Sequence, residues 1–94
     1  MFGIMYEIRI SNRFKKQVKL CAKRGYDLAL LEKAIEILSQ TGTLPNIYHP
    51  HKLSGTYEGY WECHIKGDWL LIWKQNDTEL YLLFTGTGTH SDLF

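Results

Sequence analysis

The stretch 60–85, YWECHIKGDWLLIWKQNDTELYLLFT, indicates how the chain folds. Apolar and polar residues alternate over 60–65, nearly every residue of 69–74 is apolar, and 79–85 is rich in leucine and aromatic residues. Alternation is typical of a half-buried strand, and a short apolar run is typical of a central one. Only the short polar turns KGD and QND separate the three segments. The stretch therefore predicts a three-stranded antiparallel meander.

The residues before the meander predict one more strand and two helices. MYEIRIS, 5–11, alternates as a half-buried strand does. Ser11 or Asn12 can cap a first helix that ends at Gly25, and Asp27 can cap a second one. Because the connection between the two is so brief, they are predicted to form an antiparallel helical hairpin.

The order of these elements predicts an α+β fold. The N-terminal strand and the meander complete one twisted sheet, the hairpin packs on one face of that sheet, and 44–59 is a long loop. Ninety-four residues make a single domain, 1–94. The chain has neither a membrane-length apolar run nor a signal-peptide pattern at its start, so we expect a cytoplasmic protein. Whether Met1 or Met5 is the natural start stays open.

Charge is distributed unevenly along the chain. The first 25 residues hold seven basic residues and one acidic residue, although the net charge of the whole chain is only +1. This basic quarter is either a surface that lies against nucleic-acid phosphates or a solvated helix face, and charge alone does not decide between them. Cys21 and Cys63 are expected to be reduced, partly buried thiols.

The residues best suited to acid–base chemistry lie in the second half of the chain. In a meander, the end of the third strand returns beside the start of the second, so the tail with His90 leaves the sheet near Asp68 and His64. The loop that carries His51 can fold over this sheet end. Histidine titrates near neutrality, so such a set can both accept and donate a proton. His49 is interpreted as exposed loop.

Each of these residues also has a structural explanation when it is taken alone. His51 is then loop polarity, Asp68 serves a tight turn, and Trp69 and Phe94 belong to the core. Two histidines and an acid could ligate zinc, but no closely spaced ligand pair on a helix supports a metal site.

Three motifs give the sequence a family resemblance. HKLSG at 51–55, ECHIKGDW at 62–69 and TGTHSDLF at 87–94 occur in the order and spacing found in the YafQ branch of the RelE-type bacterial toxins. The strand–helix–helix–meander order matches as well, so the resemblance spans the whole chain and implies a RelE-like fold.

The resemblance implies an activity and its partners. Such toxins are ribosome-dependent mRNA endoribonucleases (mRNA interferases), and each is neutralised by a small antitoxin of the DinJ or RelB type. They inhibit translation, reach DNA only through the antitoxin complex, and need no metal or other cofactor. The family's catalytic set falls on His51, His64, Asp68 and His90.

Roles follow from the same resemblance. His90 is expected to be the general acid, while His51 and His64, with Asp68 orienting one of them, supply the base and bind the phosphate. Contacts with the substrate are expected from Trp69, Phe94, Lys52 and Tyr60. Contacts with ribosomal RNA are expected from the helix lysines Lys15, Lys16, Lys19 and Lys23.

Two positions depart from the family pattern. Gly86 and Trp61 stand where many relatives have arginines, so either Lys52 or protonated histidines must hold the phosphate. Two other functions stay open: a non-catalytic module of the same fold that poisons gyrase or co-represses its operon, and a metal-binding protein. The tail is expected to wall the active site, so that removing Leu93 and Phe94 costs activity far more than stability.

Overall fold

The computed structural model describes residues 5–94. The segment 1–4, which would be an extension if Met5 were the natural start, lies outside the described residues. The elements in chain order are β1 (Glu7–Ile10), α1 (Asn12–Lys23), α2 (Leu28–Thr41), β2 (His51–Lys52), β3 (Tyr60–Lys66), β4 (Trp69–Asn76), β5 (Tyr81–Gly88) and α3 (His90–Leu93).

One five-stranded sheet organises the fold, in the order β1-β5-β4-β3-β2. The strands β3, β4 and β5 form the predicted antiparallel meander, and β1 pairs with β5 in parallel. The predicted α+β class and single sheet are confirmed. β5 reaches Gly88, three residues beyond its predicted end at Thr85, and this extension carries the chain to the tail.

The long loop predicted over 44–59 contains short elements that the sequence did not indicate. Two 3₁₀ turns, Asn46–Tyr48 and Gly55–Tyr57, flank the two-residue strand β2. β2 pairs with β3 so that His51 stands opposite Glu62. A strand of two residues is too short to show a period in sequence, because its pairing is decided by the partner strand.

The main core lies between the helices and one face of the sheet. Ser11 begins α1 by accepting a hydrogen bond from the Phe14 amide at 3.0 Å, and Asp27 begins α2 in the same way. The helices and strands contribute to one buried apolar cluster, whose members include Phe14, Leu31, Leu38, Trp69, Leu71, Trp73, Leu82 and Phe84.

The opposite face of the sheet carries a smaller apolar cluster and most of the polar candidates. Leu70, Ile72 and Leu93 are buried there, with Tyr60 packed against them. Because side chains alternate along β3, Glu62 and His64 share this face with Tyr60. We call it the histidine face, and we call the face that the helices cover the helix face.

Both cysteines are free and buried, as predicted. Burial raises the pKa of the Cys63 thiol to about 12, so this thiol stays protonated and unreactive at neutral pH. Within residues 5–94, the structure has no helix long and apolar enough to cross a membrane.

Candidate active site

His90 and Asp68 form the closest polar pair of the candidate site. Asp68 lies in the turn between β3 and β4, and His90 is the first residue of α3, just after β5 ends. The Nδ1 atom of His90 donates to Asp68 Oδ1 at 2.5 Å. Nδ1 is therefore occupied, and no residue in the described part of the chain bonds to Nε2, which stays available to a substrate.

His51 is held by two acceptors. Its Nδ1 lies 2.8 Å from the His49 carbonyl oxygen, and its Nε2 lies 3.2 Å from Glu62 Oε1. Carbonyl and carboxylate oxygens can only accept, so the ring makes both contacts when each nitrogen carries a proton. Glu62 is 5% exposed, so this contact brings the His51 ring against a buried carboxyl group.

His64 lies at the end of β3 that adjoins the turn. Its Nδ1 donates to the Gly67 carbonyl at 3.2 Å, so Nε2 is left with its lone pair. The ring of His49 packs edge-on against that of His64, with centroids 5.7 Å apart. His49 has a left-handed backbone, with φ at +50°, which is rare for a residue other than glycine. His49 is exposed loop, as interpreted, and its ring also contacts that of His64.

The site is an open surface rather than an enclosed pocket. The side chains of His90 and Asp68 are each 60% exposed, and that of His51 is 47% exposed. A polymer can lie across such a surface, whereas a small metabolite would find no enclosure. The prediction that His64, Asp68 and His90 meet at one sheet end is confirmed. Asp68, however, orients His90 rather than His51 or His64.

The C-terminal segment is built into the fold. Arg24 at the end of α1 forms a two-point ion pair with Asp92, at 2.6 and 2.9 Å, and Arg13 donates to the Leu93 carbonyl at 3.3 Å. Gly88 has φ at +146°, and a Cβ there would lie 2.6 Å from the Asp92 carboxylate. A glycine is thus required where the chain turns from β5 into α3.

The ion pair between Arg24 and Asp92 predicts that the stability of the fold depends on pH. The Arg24 guanidinium, followed by the Thr89 amide, holds the pKa of Asp92 well below its usual range. A carboxyl whose folded pKa is lowered stabilises the fold above its unfolded pKa of about 4, and this contribution is lost as pH falls. We expect the difference in Tm between the wild type and Asp92→Asn to be largest at neutral pH. It should shrink progressively between about pH 5 and pH 2.

Thermal unfolding followed by circular dichroism over this range of pH measures the difference. Glu36→Gln is the matched control, because it removes an exposed carboxylate of α2 far from the tail. A difference between wild type and Asp92→Asn that stays constant with pH would contradict the role of the ion pair.

Trp69 does not offer a free ring to the substrate. It is 5% exposed, its indole N–H donates to Thr87 Oγ1 at 2.9 Å, and its ring packs against Tyr26. The expected contact of Trp69 with the substrate is therefore corrected: Trp69 supports the turn that carries Asp68. Trp69 also borders a cavity of about 490 Å³ on the helix face beside that turn.

Lys52 lies on the wrong face of the sheet to hold a phosphate among the histidines. It stands opposite Trp61 in the β2–β3 pair, and its ammonium lies 5.5 Å from the centroid of the Trp61 ring. Trp61 packs on the helix face, where it stacks on Trp73. Because side chains alternate, His51 faces the histidines and its neighbour Lys52 faces away. The expected substrate contact by Lys52 is wrong.

The other two expected substrate contacts lie on the histidine face. Phe94 is 55% exposed, with its ring centroid 6.1 Å from that of His90 and 5.0 Å from that of Tyr57. Tyr60 is half-buried at the far end of β3 and packs edge-on against Tyr57. The three rings form a continuous aromatic wall that begins beside His90.

The two missing arginines have different structural consequences. An arginine in place of Trp61 would project from the helix face, so its absence removes no cation from beside His64. A Cβ on Gly86 would lie 3.0 Å from Leu93 Cδ2, so Leu93 occupies the space above that glycine. The cation for a phosphate must therefore come from another element.

The helix lysines are available for an interaction. Lys15, Lys16, Lys19 and Lys23 are all exposed on α1, and within residues 5–94 none of them forms an ion pair. Across the same residues, no group of three or more histidine, cysteine, aspartate or glutamate side chains is arranged to hold a metal ion.

Comparisons with known proteins agree with the fold and the motifs. A family model described as the bacterial toxin of type II toxin–antitoxin systems, YafQ, matches residues 6–94. The chain belongs to the YafQ toxin family. The mRNA interferase toxin YafQ of Escherichia coli strain K12 is 39% identical over 92 residues, which are 97% of this chain and 98% of the relative.

Solved structures are also similar to this toxin. The Escherichia coli DinJ–YafQ toxin–antitoxin complex matches with a TM-score of 0.87 and 38% identity, over 97% of this chain and 99% of that one. A metal-bound toxin from Helicobacter pylori matches with a TM-score of 0.84 and 35% identity, over 96% and 100% of the two chains.

Sequence reasoning assigned no role to three site residues of the toxin. Glu62 alternates with Tyr60 and His64 along β3. This alternation was the signal that could have placed Glu62 on the same face of the sheet. His49 reaches His64 only because β2 pairs with β3. Arg13 lies on α1, and nothing in its neighbourhood along the chain connects it with the tail.

Proposed function

We propose that this toxin is an endoribonuclease that cleaves messenger RNA on the ribosome, without a metal, by activating the RNA's own 2′-hydroxyl group. The observation that carries the proposal is the oriented His90–Asp68 pair on an open face that also presents His64 and His51. The similarity to relatives named mRNA interferases supports it.

His64 is the general base of the proposed reaction. Since its Nδ1–H is committed to the Gly67 carbonyl, its Nε2 lone pair can take the proton of the 2′-hydroxyl. The oxygen then attacks the adjacent phosphorus. Sequence reasoning left the choice between His51 and His64 open, and the hydrogen-bond partners favour His64.

His51 binds the phosphate in this scheme. Its contacts with the His49 carbonyl oxygen and Glu62 Oε1 hold the ring in place. When it carries a proton on both nitrogens, a ring fixed in this way beside the phosphate stabilises the charge that develops in the transition state.

His90 is the general acid. The Asp68 carboxylate accepts the Nδ1–H hydrogen bond and so fixes the ring, and the opposite nitrogen, Nε2, when protonated, donates its proton to the leaving 5′-oxygen. The products are a 2′,3′-cyclic phosphate and a 5′-hydroxyl, and no step requires a metal. Because a similar toxin from Helicobacter pylori binds metal, cleavage in the presence of a chelator tests this part separately.

Primer extension on a message translated with and without the toxin tests the whole proposal. Cuts that fall in phase with the codons, and persist with a chelator, are expected. Normal translation with no cuts would favour a non-catalytic module of the same fold. The DinJ–YafQ complex of Escherichia coli supports a DinJ-like antitoxin as the partner. A toxin that acts on the ribosome works in the cytoplasm, and this is the location that we propose.

The basic face of α1 is proposed to contact ribosomal RNA. Replacing all four lysines by glutamine should weaken binding to ribosomes and flatten its dependence on salt, because fewer counterions are released. Co-sedimentation with ribosomes at several salt concentrations measures both effects.

The chain offers a control for the four-lysine variant. Lys33 and Lys52 lie on other elements and away from the histidine face, and replacing these two by glutamine removes charge without touching α1. If both variants bind ribosomes equally well, α1 is a solvated helix face and not an RNA contact.

A further inference from the structure

A further cavity lies on the histidine face beyond the aromatic wall. Its volume is about 160 Å³. The helix α1, the 3₁₀ turn Gly55–Tyr57 and the strands β3, β4 and β5 meet around it. The residues that line it are Arg13, Thr56, Tyr57, Tyr60, Ile72 and Thr85. None of these residues takes part in the acid–base scheme.

Arg13 provides a positive charge that the fold does not neutralise. Arg9 is paired with Glu7 and Arg24 with Asp92, whereas Arg13 has no carboxylate partner within residues 5–94. Its guanidinium donates one long hydrogen bond, at 3.3 Å, to the Leu93 carbonyl oxygen. Since a guanidinium has five N–H donors in a planar fork, most of them remain free to bind an anion.

The rings of the cavity connect it with the proposed catalytic residues. Tyr57 contacts Tyr60 on one side and Phe94 on the other, and Phe94 lies beside His90. A chain whose phosphate lies at His90 therefore passes along this wall and reaches the cavity with an adjacent nucleotide.

We propose that this cavity binds one nucleotide next to the cleaved phosphate, with its base against the Tyr57 and Tyr60 rings and its phosphate on Arg13. The proposal rests on the proposed function and names a contact that the acid–base set does not supply. A cavity of roughly 150 Å³ accepts benzene, so a space of this size can hold a pyrimidine-sized ring.

The chemistry of the lining favours a nucleotide over an apolar group. Aromatic rings stack on any base, a free guanidinium binds a phosphate through two hydrogen bonds, and the hydroxyl groups of Thr56 and Thr85 can bond to base or sugar. Arg13 also supplies a cation close to Leu93, which fills the space above Gly86.

Binding of a short oligonucleotide tests the proposal without cleavage. The probe is a trinucleotide that carries a 2′-deoxy sugar at its central position, so it cannot react. Addition of the probe to the full-length protein should shift the backbone amide signals of Thr56 and Thr85 in NMR spectra. The Arg13→Met variant should bind it about tenfold more weakly, with a salt slope smaller by about 0.7.

Four variants separate the contributions of charge, ring and fold. Arg13→Lys should bind within about threefold of the wild type, because it keeps the charge. Tyr57→Leu should lose about tenfold in affinity and Tyr57→Phe much less, because the ring supplies the stacking. Lys33→Met, which removes a cation from the far side of α2, should bind like the wild type, and unchanged Tm values show that the variants are folded.

Two outcomes would overturn the inference: equal binding by Arg13→Met and Lys33→Met, or signal shifts confined to the lysine face of α1. Shifts produced by an antitoxin peptide but not by the trinucleotide would assign the cavity to protein recognition instead. Failure of the proposed function is a different result, since the wild type would then cut no message even if the trinucleotide bound at Thr56 and Thr85.

Discussion

Replacing His90 by alanine should reduce cleavage of a ribosome-bound message by at least about 10²-fold, the lower end of what general acid–base catalysis contributes. The physical reason is that the Nε2 proton of His90 is the one placed to reach the leaving oxygen. Binding to ribosomes should not change, because the ring is exposed and contributes little to the core. Single-turnover cleavage followed by primer extension measures the loss, and co-sedimentation measures binding.

A double-mutant cycle with Asp68 makes this test sharper. In our scheme Asp68 does not touch the substrate and acts only by orienting His90. Asp68→Asn should therefore slow cleavage when His90 is present but have little further effect when it is added to His90→Ala. Full activity of His90→Ala would remove His90 from the mechanism. Fully additive losses would show instead that Asp68 acts independently of His90.

Replacing Leu93 by alanine should lower the free energy of unfolding by about 2–5 kcal/mol, which is a large part of the total stability of a small domain. Leu93 is 3% exposed and packs on Leu70 and Ile72 from the histidine face. The expectation that removing Leu93 and Phe94 costs activity far more than stability is therefore revised for Leu93, because Leu93 belongs to the core.

Phe94 should behave in the opposite way. Its ring is 55% exposed, so Phe94→Ala should change the free energy of unfolding by less than about 1 kcal/mol. Cleavage should fall clearly, because the ring separates His90 from Tyr57 on the substrate side. Urea unfolding at equilibrium and the cleavage assay, applied to both variants, separate the two effects. A variant Leu93→Ala as stable as Phe94→Ala would refute the packing argument.

Sequence patterns predicted those elements whose own residues repeat. The alternation over 60–65, the apolar run over 69–74 and the spacing of apolar residues in the helices each report burial locally, so the meander and the two helices are found where expected. β2 has two residues and therefore no period, and only its partner strand gives it a structure.

The candidate site shows the same division. The motifs drew attention to His51, His64, Asp68 and His90, and the meander order brings three of them to one sheet end. The partner of each histidine, however, could not be read from the chain. Glu62 serves His51, and Asp68 serves His90, because strand register and the turn into α3 decide which carboxylate is within reach.

The sequence also could not predict on which face of the sheet a side chain of the loop lies. Lys52 was placed with the histidines because it follows His51 in the chain, yet one step along a strand reverses the direction of the side chain. Arg13 received no role from the sequence, although its guanidinium contacts the tail eighty residues later.

The C-terminal GTGTHSDLF combines both kinds of information. The sequence by itself determined the α+β fold, the strand that leads into this segment and the acid–base residue types within it, because period and residue chemistry are local properties. Only the tertiary structure decided that Arg24 and Arg13 hold the segment, that Leu93 is core and Phe94 is not, and that His90 meets Asp68. Those contacts join residues far apart in the chain, and their energy depends on distance, register and burial, which no local pattern records.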